Sequence, residues 1–391
     1  TKSSKSFWRG VSQIDEYPTL SIAVGTDVRY SMSAIPSPTT SCENFNDPTG
    51  GGSTEWDCEK IVDGDIFADF NKSSIAFSPD GVPHVVLTDT NETSGSFEGN
   101  NLILATYVGS GGSCVNFTDA TGGGSAAWDC EKIVDGDDSF WDGQYAQIEF
   151  SPDGTTYILF TDFNEPTGTV TGSNLVLATY VGSGGSCLNY DDPTGGGSAE
   201  WDCEKIIDGT SDPFENDFEL NSEISFSPNG VPYIVTYGYG SNSYLIVAKY
   251  VGSGGSCVNF IDPTGGGSAE WDCESVIIGD NDTDFLNFSP VVFSPEGTPH
   301  ILATDDSENS GTSSGDNLIL ATYVGSGGSC VNFTNPTGGG SAEWDCEKVI
   351  DGDDLGDFQA LSISFSQDGV PHIATTDVGE SSGSSSGDNL I

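Results

Sequence analysis

Ten cysteines at a fixed spacing are the residues of this chain that speak most plainly of chemistry. Cys42, Cys114, Cys187, Cys257 and Cys330 are each followed, 16 positions on, by Cys58, Cys130, Cys203, Cys273 and Cys346. There is no Cys-x-x-Cys pair and the three histidines lie elsewhere. The pattern therefore points to five disulfides made in an oxidising compartment rather than to zinc-thiolate sites. Each bridge closes a Gly-rich excursion such as Thr121-Gly122-Gly123-Gly124-Ser125, and closing a loop of roughly 15 residues contributes about 3 kcal/mol in the chain-entropy model. The near identity of the five loops exceeds what a staple needs, so an edge brace and a repeated contact surface for partner subunits or glycans both remain open.

The second chemistry is that of carboxylates. Asp63, Asp65, Asp135, Asp137, Asp208, Asp280, Asp351 and Asp353 fall in short Asp-Gly or Gly-Asp links that follow each Trp-Asp-Cys segment. Calcium takes about six to eight oxygen ligands from carboxylates and carbonyls, which makes it the cofactor these links would suit. None has the EF-hand Asp-x-Asp-x-Asp-Gly pattern with its terminal Glu, and turn formation plus solvation is the plainer use. A further row reads Thr88-Asp89, Thr161-Asp162, Thr304-Asp305 and Thr376-Asp377. In the remaining copy Tyr237-Gly238-Tyr239-Gly240 replaces the acid, and Tyr237 and Tyr239 are the candidates for stacking on a sugar ring.

The 391 residues carry 60 acidic and 10 basic side chains, a net charge of -50, together with 35% hydrophobic and 10% aromatic residues. That apolar content separates the chain from disordered acidic tails and describes a folded core with an acidic coat. Such a field repels phosphate backbones and anionic lipid. Nucleic acid and membrane insertion are therefore not expected, while cations, basic proteins and neutral glycans are. No apolar run near 18 residues is present, and a start at Thr rather than Met reads as a mature secreted chain, extracellular or at the cell surface.

The elements that must position these groups repeat. The first cysteines lie 72, 73, 70 and 73 residues apart, and each interval offers four strand-length runs bounded by Gly, Pro, Asp and Ser. In the first full copy they are D (Trp56 to Val62), A (Ser74 to Ser78), B (Pro83 to Thr88) and C (Leu102 to Val108). Ser78-Pro79-Asp80-Gly81 reads as a tight A-to-B turn. His84, His300 and His372 share one place on B with Tyr157 and Tyr233, which suggests packed rings with a polar tip. Runs B and C are apolar on both alternating faces, so each sheet is covered on both sides. The predicted fold is all-β, a β-propeller of about six four-stranded blades with one stapled C–D loop per blade. The whole chain, 1–391, is read as one domain: degenerate A, B and C strands in 1–41, five repeats in 42–386, and the start of an incomplete C strand in 387–391. Three readings of the missing last D strand stand open: a fragment of a longer chain, closure by the arm at 1–6, or a strand given by another chain.

Phe77-Ser78-Pro79-Asp80-Gly81 followed by Pro83-His84-Val85-Val86 resembles the repeats of secreted bacterial and archaeal β-propellers, the YVTN-type surface proteins among them. Leu102-Ile103-Leu104-Ala105-Thr106-Tyr107, a cysteine, then Trp128-Asp129-Cys130-Glu131 is similar to extracellular propeller repeats with a disulfide per blade. The resemblance implies a binding or surface protein. Sialidase-like propellers use a trio of arginines, whereas only Arg9 and Arg29 are present here. Other glycosidases need a pair of carboxylates, but the acids recur copy after copy where catalysis needs one specialised constellation. The expectation is a non-catalytic surface, adhesion or assembly module, not an enzyme, whose partners are a protein or glycan at the cell surface or other copies of itself. The alternatives are a subunit of an extracellular filament joined by strand donation and a polysaccharide-active enzyme.

Overall fold

In the computed structural model, residues 20–23, 27–33, 42, 56–64, 70–92, 99–117, 123–136, 144–167, 170–190, 196–209, 217–218, 222–239, 242–260, 266–279, 285, 287–308, 315–333, 339–352, 358–380 and 387–391 are described. They form six antiparallel sheets and no α-helix. The first sheet holds β1 (Leu20–Ala23), β2 (Asp27–Ser33) and β3 (Trp56–Asp63). The second holds β4 (Phe70–Phe77), β5 (Pro83–Glu92), β6 (Gly99–Tyr107) and β7 (Trp128–Asp135). The third holds β8 (Gln144–Phe150), β9 (Thr156–Thr167), β10 (Val170–Tyr180) and β11 (Trp201–Ile207). In the fourth, β12 (Asp217–Phe218) and β13 (Glu223–Phe226) both pair with β14 (Pro232–Tyr239), followed by β15 (Ser243–Tyr250) and β16 (Trp271–Ile278). The fifth holds β17 (Val292–Phe293), β18 (Pro299–Glu308), β19 (Gly315–Tyr323) and β20 (Trp344–Asp351), and the last β21 (Phe358–Phe365), β22 (Pro371–Glu380) and β23 (Gly387–Leu390).

Each complete sheet is an A-B-C-D meander, with β12 and β13 sharing the A position in the fourth, the blade of a β-propeller fold. The strands B and C run further than their apolar cores, β5 to Glu92 and β6 from Gly99. Ladder hydrogen bonds past the apolar run account for the extra length, since Asp89 faces Asn101 and Glu92 faces Gly99 across a register shift. The expected A strand in Trp8 to Asp15 lies outside the described residues.

By compactness the chain divides into one unit of 1–148 with 187–199 and another of 149–186 with 200–391. In the first, Ile61 and Val62 of β3 pack with Val85, Leu87, Ile103 and Trp128 of the following sheet. In the second, Leu159, Leu175 and Ile206 pack with Ile224, Ile234 and Trp271, and Val235, Leu245 and Val276 pack with Ile301, Ile319 and Trp344. Both faces of strands B and C are therefore dry, which is why Val85, Val86 and Leu87 are consecutive buried residues. Burying each such side chain contributes about 1.5–3 kcal/mol.

The A-to-B turn forms as its residues require. Gly81 N donates to the Ser78 carbonyl at 2.8 Å with Gly81 at φ +88°, and Val82 N donates to the Ser78 hydroxyl at 3.0 Å. The Ser78 hydroxyl donates to Asp80, and this bond holds the Asp80 carboxyl below its ordinary range; Ser151 and Ser366 do the same for Asp153 and Asp368.

The stapled loop closes on the next strand through the Asp of Trp-Asp-Cys. The Ser113 hydroxyl donates to Asp129 at 2.7 Å and accepts from Cys130 N at 2.9 Å, and Ser186 and Ser256 repeat the pattern with Asp202 and Asp272. Disulfides join Cys42–Cys58, Cys114–Cys130, Cys257–Cys273 and Cys330–Cys346; Cys187 and Cys203 are oxidised too, and no cysteine is free. A Cβ on Gly267 would overlap the Cys257 carbonyl and come within 2.9 Å of the Ile206 carbonyl, both backbone atoms. Gly267→Ala is therefore expected to lower stability by about 3 kcal/mol, read as a fall in the denaturation midpoint with an unchanged slope.

Candidate functional site

Among the described residues, four glycine loops each lie over the D strand of the repeat before. Ser125 N donates to the Ile61 carbonyl at 2.8 Å, Ser198 N to Ile133 at 2.9 Å, Ser268 N to Ile206 at 3.0 Å and Ser341 N to Val276 at 2.9 Å. The same four serines donate their hydroxyls to Glu59, Glu131, Glu204 and Glu274, the Glu of Trp-Asp-Cys-Glu. Trp271 Nε1 adds a bond to Glu204 at 3.3 Å and Trp344 Nε1 one to Glu274 at 3.1 Å. Half-burial pushes the Glu204 and Glu274 carboxyls above their ordinary range, and the Ser and Trp donors offset part of that rise. The sign follows: their contribution to stability is full below the ordinary carboxylate pKa and is lost as pH rises through the raised one.

Of the candidate cation ligands, Asp63, Asp135 and Asp208 are held by this same clasp. Lys60 pairs with Asp63 at 2.7 Å, Lys132 with Asp135 at 2.7 Å, Lys205 with Asp208 at 2.9 Å and Lys348 with Asp351 at 3.0 Å. Asp63, Asp135 and Asp208 also fill the space beside Gly123, Gly196 and Gly266, where any Cβ would overlap their carboxyls. In β16 Ile278 takes that position beside Gly339. Asp65, Asp137, Asp280 and Asp353 lie outside the described residues. Among the described residues no group of three or more His, Cys, Asp or Glu is gathered closely enough to hold a metal. The acidic links stand at the far end of each D strand from its own stapled loop, as the strand alternation requires. At Asp63, Asp135 and Asp208 it is the following repeat's loop that reaches the end of the strand.

Asp89, Asp162 and Asp305 are buried in the second halves of β5, β9 and β18, opposite Asn101, Asn174 and Asn317 of the adjacent strand C. The amide oxygens of Asn101 and Asn174 in turn accept from Gly136 N and Gly209 N at 3.3 and 3.2 Å, tying the start of each D-to-A link. Tyr237, in the equivalent place on β14, is 3% exposed and packs with Leu245 and Phe285 in the core. Tyr239 pairs with Ser243 across the β14–β15 turn; its side chain lies outside the described residues.

A different set of aromatics reaches solvent. Tyr107, Tyr180, Tyr250 and Tyr323 end strand C, each set edge-on to the buried Trp of its own D strand at 5.4 or 5.5 Å. The rings of Tyr180 and Tyr250 are 44% and 39% exposed, and Val108, Val181, Val251 and Val324 beside them are open too. In the second unit the Tyr180, Tyr250 and Tyr323 hydroxyls donate to Glu200, Glu270 and Glu343 at 3.0–3.1 Å. The bond to Glu270 raises the Tyr250 phenol, and burial with the bond to Glu343 pushes Tyr323 up to about 12. These rings were visible in Leu-Ala-Thr-Tyr-Val, but strand alternation does not reveal that the apolar run leaves cover at its last two residues.

His84 and His300 pack as their exchange with Tyr suggests. Their Nδ1 atoms lie 3.0 Å from the Thr106 and Thr322 hydroxyls, and the His300 ring sits 4.7 Å from that of Phe365. Burial lowers both pKa values from the ordinary histidine value. A depressed pKa contributes stability above the unfolded value that is lost as pH falls through the folded one. Thermal unfolding followed from about pH 7.5 to 5.5 should show this loss, and His84→Tyr with His300→Tyr should remove it.

No protein-family model and no curated protein matches the sequence. Among solved structures the chain is similar to a thermostable family-43 glycoside hydrolase, at 13% identity and TM-score 0.36 over 85% of this chain and 91% of that one. It is also similar to a polysaccharide lyase, an ulvanlyase bound to a saccharide, at 10% identity and TM-score 0.44 over 90% and 74% of the two chains. A second polysaccharide lyase matches at 11% identity and TM-score 0.42 over 96% and 76%. At this distance the likeness is one of fold. The expectation that the chain is not an enzyme is corrected: the solved structures it is similar to are glycoside hydrolases and polysaccharide lyases, a likeness that by itself assigns this chain no activity. None of them is a YVTN-type surface protein, and a non-catalytic adhesion role finds no support.

Proposed function

We propose that this is an extracellular enzyme that hydrolyses a neutral polysaccharide. The observation that carries the reading is the row of tyrosine platforms: at Tyr180, Tyr250 and the half-buried Tyr323 a ring that reaches solvent, an exposed Val and a Glu-held hydroxyl stand together at the end of strand C. Aromatic faces and fixed polar groups are what sugar rings engage, and a polymer of like units meets a row of like sites with added avidity. The net charge of -50 opposes binding of uronate-rich or sulfated chains. A neutral sugar has no carboxylate to acidify the neighbouring C–H, so elimination is closed to it and hydrolysis, carried by a pair of carboxylates, is the chemistry left. Disulfide bonding of the cysteines supports the extracellular setting.

The test is release of new reducing ends from a panel of neutral and uronate-containing polysaccharides. Product is expected from a neutral member only. Replacing Tyr180, Tyr250 and Tyr323 together by Ala should raise KM for the polymer about 100-fold while leaving turnover of a short oligosaccharide in place. Unsaturated products from a uronate polymer, or no turnover on any member, would overturn the proposal.

A further inference from the structure

The tyrosine platforms come in two kinds. Tyr250 and Tyr323 donate to the exposed Glu270 and Glu343, and Tyr180 does so to the exposed Glu200. At Tyr107 the residue in that place is Ala127. The backbone there is the same. The Ala127 carbonyl accepts from Val108 N and Gly109 N at 2.8 and 3.0 Å, as the Glu270 carbonyl accepts from Val251 N and Gly252 N at 2.8 and 2.9 Å. Ala127 N donates to the Ser125 hydroxyl at 3.0 Å, and Glu270 N and Glu343 N donate to the Ser268 and Ser341 hydroxyls at 2.9 Å. Tyr107 stands edge-on to Trp128 at 5.4 Å and is 37% exposed, while Tyr250 stands edge-on to Trp271 at 5.5 Å and is 39% exposed. The glutamate side chain is therefore needed neither to close the loop nor to seat the ring against its Trp.

What it adds is chemistry at the edge of an aromatic ring. A carboxylate only accepts, and with about four lone-pair sites it takes further donors besides the Tyr hydroxyl. A pyranose stacked on the Tyr250 or Tyr323 ring carries its equatorial hydroxyls around its rim, and at the phenol end that rim meets the carboxylate. Two adjacent hydroxyls match the two oxygens of one carboxylate, in charge-assisted bonds that are shorter and stronger than neutral ones. We propose that Glu270 and Glu343, and Glu200 with them, are the specificity-determining residues of the platforms and read a pair of adjacent free hydroxyls on the stacked sugar. Given that the platforms bind polysaccharide, the reading on which this rests, the substrate is a polymer unsubstituted at those hydroxyls. An ester or ether on either one removes a donor and leaves the carboxylate facing a group it cannot bond, which is how a site built on hydroxyls rejects the analogue without them. Tyr107, beside Ala127, is a platform without this selectivity.

Affinity electrophoresis of the full chain in native gels tests this, with soluble glucan, mannan and xylan as probes and the O-acetylated form of each beside it. At least one parent polymer is expected to slow the wild-type protein, with the affinity for its acetylated form about 10-fold lower or weaker still. Glu200→Ala, Glu270→Ala and Glu343→Ala together should bring the parent polymer down to the level of the acetylated one, in a fold that already takes Ala at this place in Ala127. Ala127→Glu should raise the affinity for the parent polymer and not for the acetylated one. The proposal is overturned by a wild type that binds the two forms alike, by a triple variant that still prefers the parent, or by an Ala127→Glu variant that gains nothing. Turnover of a neutral polymer without this preference would overturn it and leave the hydrolase standing, whereas the preference without turnover would overturn the hydrolase alone. No slowing by any parent polymer would overturn the platforms and their glutamates together.

Discussion

One contact organises the molecule: a glycine-rich, disulfide-stapled loop laid along the D strand of the repeat before it. The loop must come within van der Waals reach of backbone carbonyls such as Ile206 O and of aspartates such as Asp208. Only residues without a Cβ allow that approach, and so the run of glycines is kept. The loop serine then donates its backbone N–H to the strand carbonyl and its hydroxyl to the strand glutamate. A segment this rich in glycine loses much conformational freedom on docking, and the bridge a few residues away removes part of that freedom from the unfolded chain beforehand.

Every residue of the Trp-Asp-Cys-Glu-Lys motif has its place in this contact. The Trp is buried against the neighbouring sheet, the Asp binds the serine at the mouth of its own loop, and the Cys closes that loop. The Glu receives the next repeat's serine and the Lys holds the aspartate against which the next repeat's glycine packs. Motif and loop are thus two halves of one joint, written next to each other in the sequence but used between different repeats. The acidic coat survives beside it because these carboxylates are neutralised by Lys or by several donors, whereas a bare buried charge would cost several kcal/mol.

What the joint leaves exposed is as informative as what it covers. The C strands end beyond the loop in Tyr-Val-Gly turns, and there the rings rest edge-on against the buried Trp while one side meets water. Rigid support from Trp and a hydroxyl fixed by Glu preorganise each ring, which lowers the entropy lost when a ligand stacks on it. The clasp therefore positions the candidate ligand surface although it takes no part in it.

Much of this was legible in the residues alone. The period, the cysteine pairs, the Ser-Pro-Asp-Gly turn and the unbroken apolar runs of strands B and C determine an all-β chain of four-stranded units, because local turn chemistry and strand patterning act within one repeat. The partners of the acids were not legible. The carboxyl of Asp63 meets Gly123, that of Glu59 meets Ser125, and Tyr237 turns into the core rather than toward a sugar. Each of these pairings joins residues some sixty positions or more apart, or depends on which face a neighbouring sheet covers. Spacing within a repeat carries no record of either. That Asp63, Asp135 and Asp208 are clasp residues, and that the surface aromatics are Tyr180 and Tyr250 rather than Tyr237, were decided only when one repeat packed on the next.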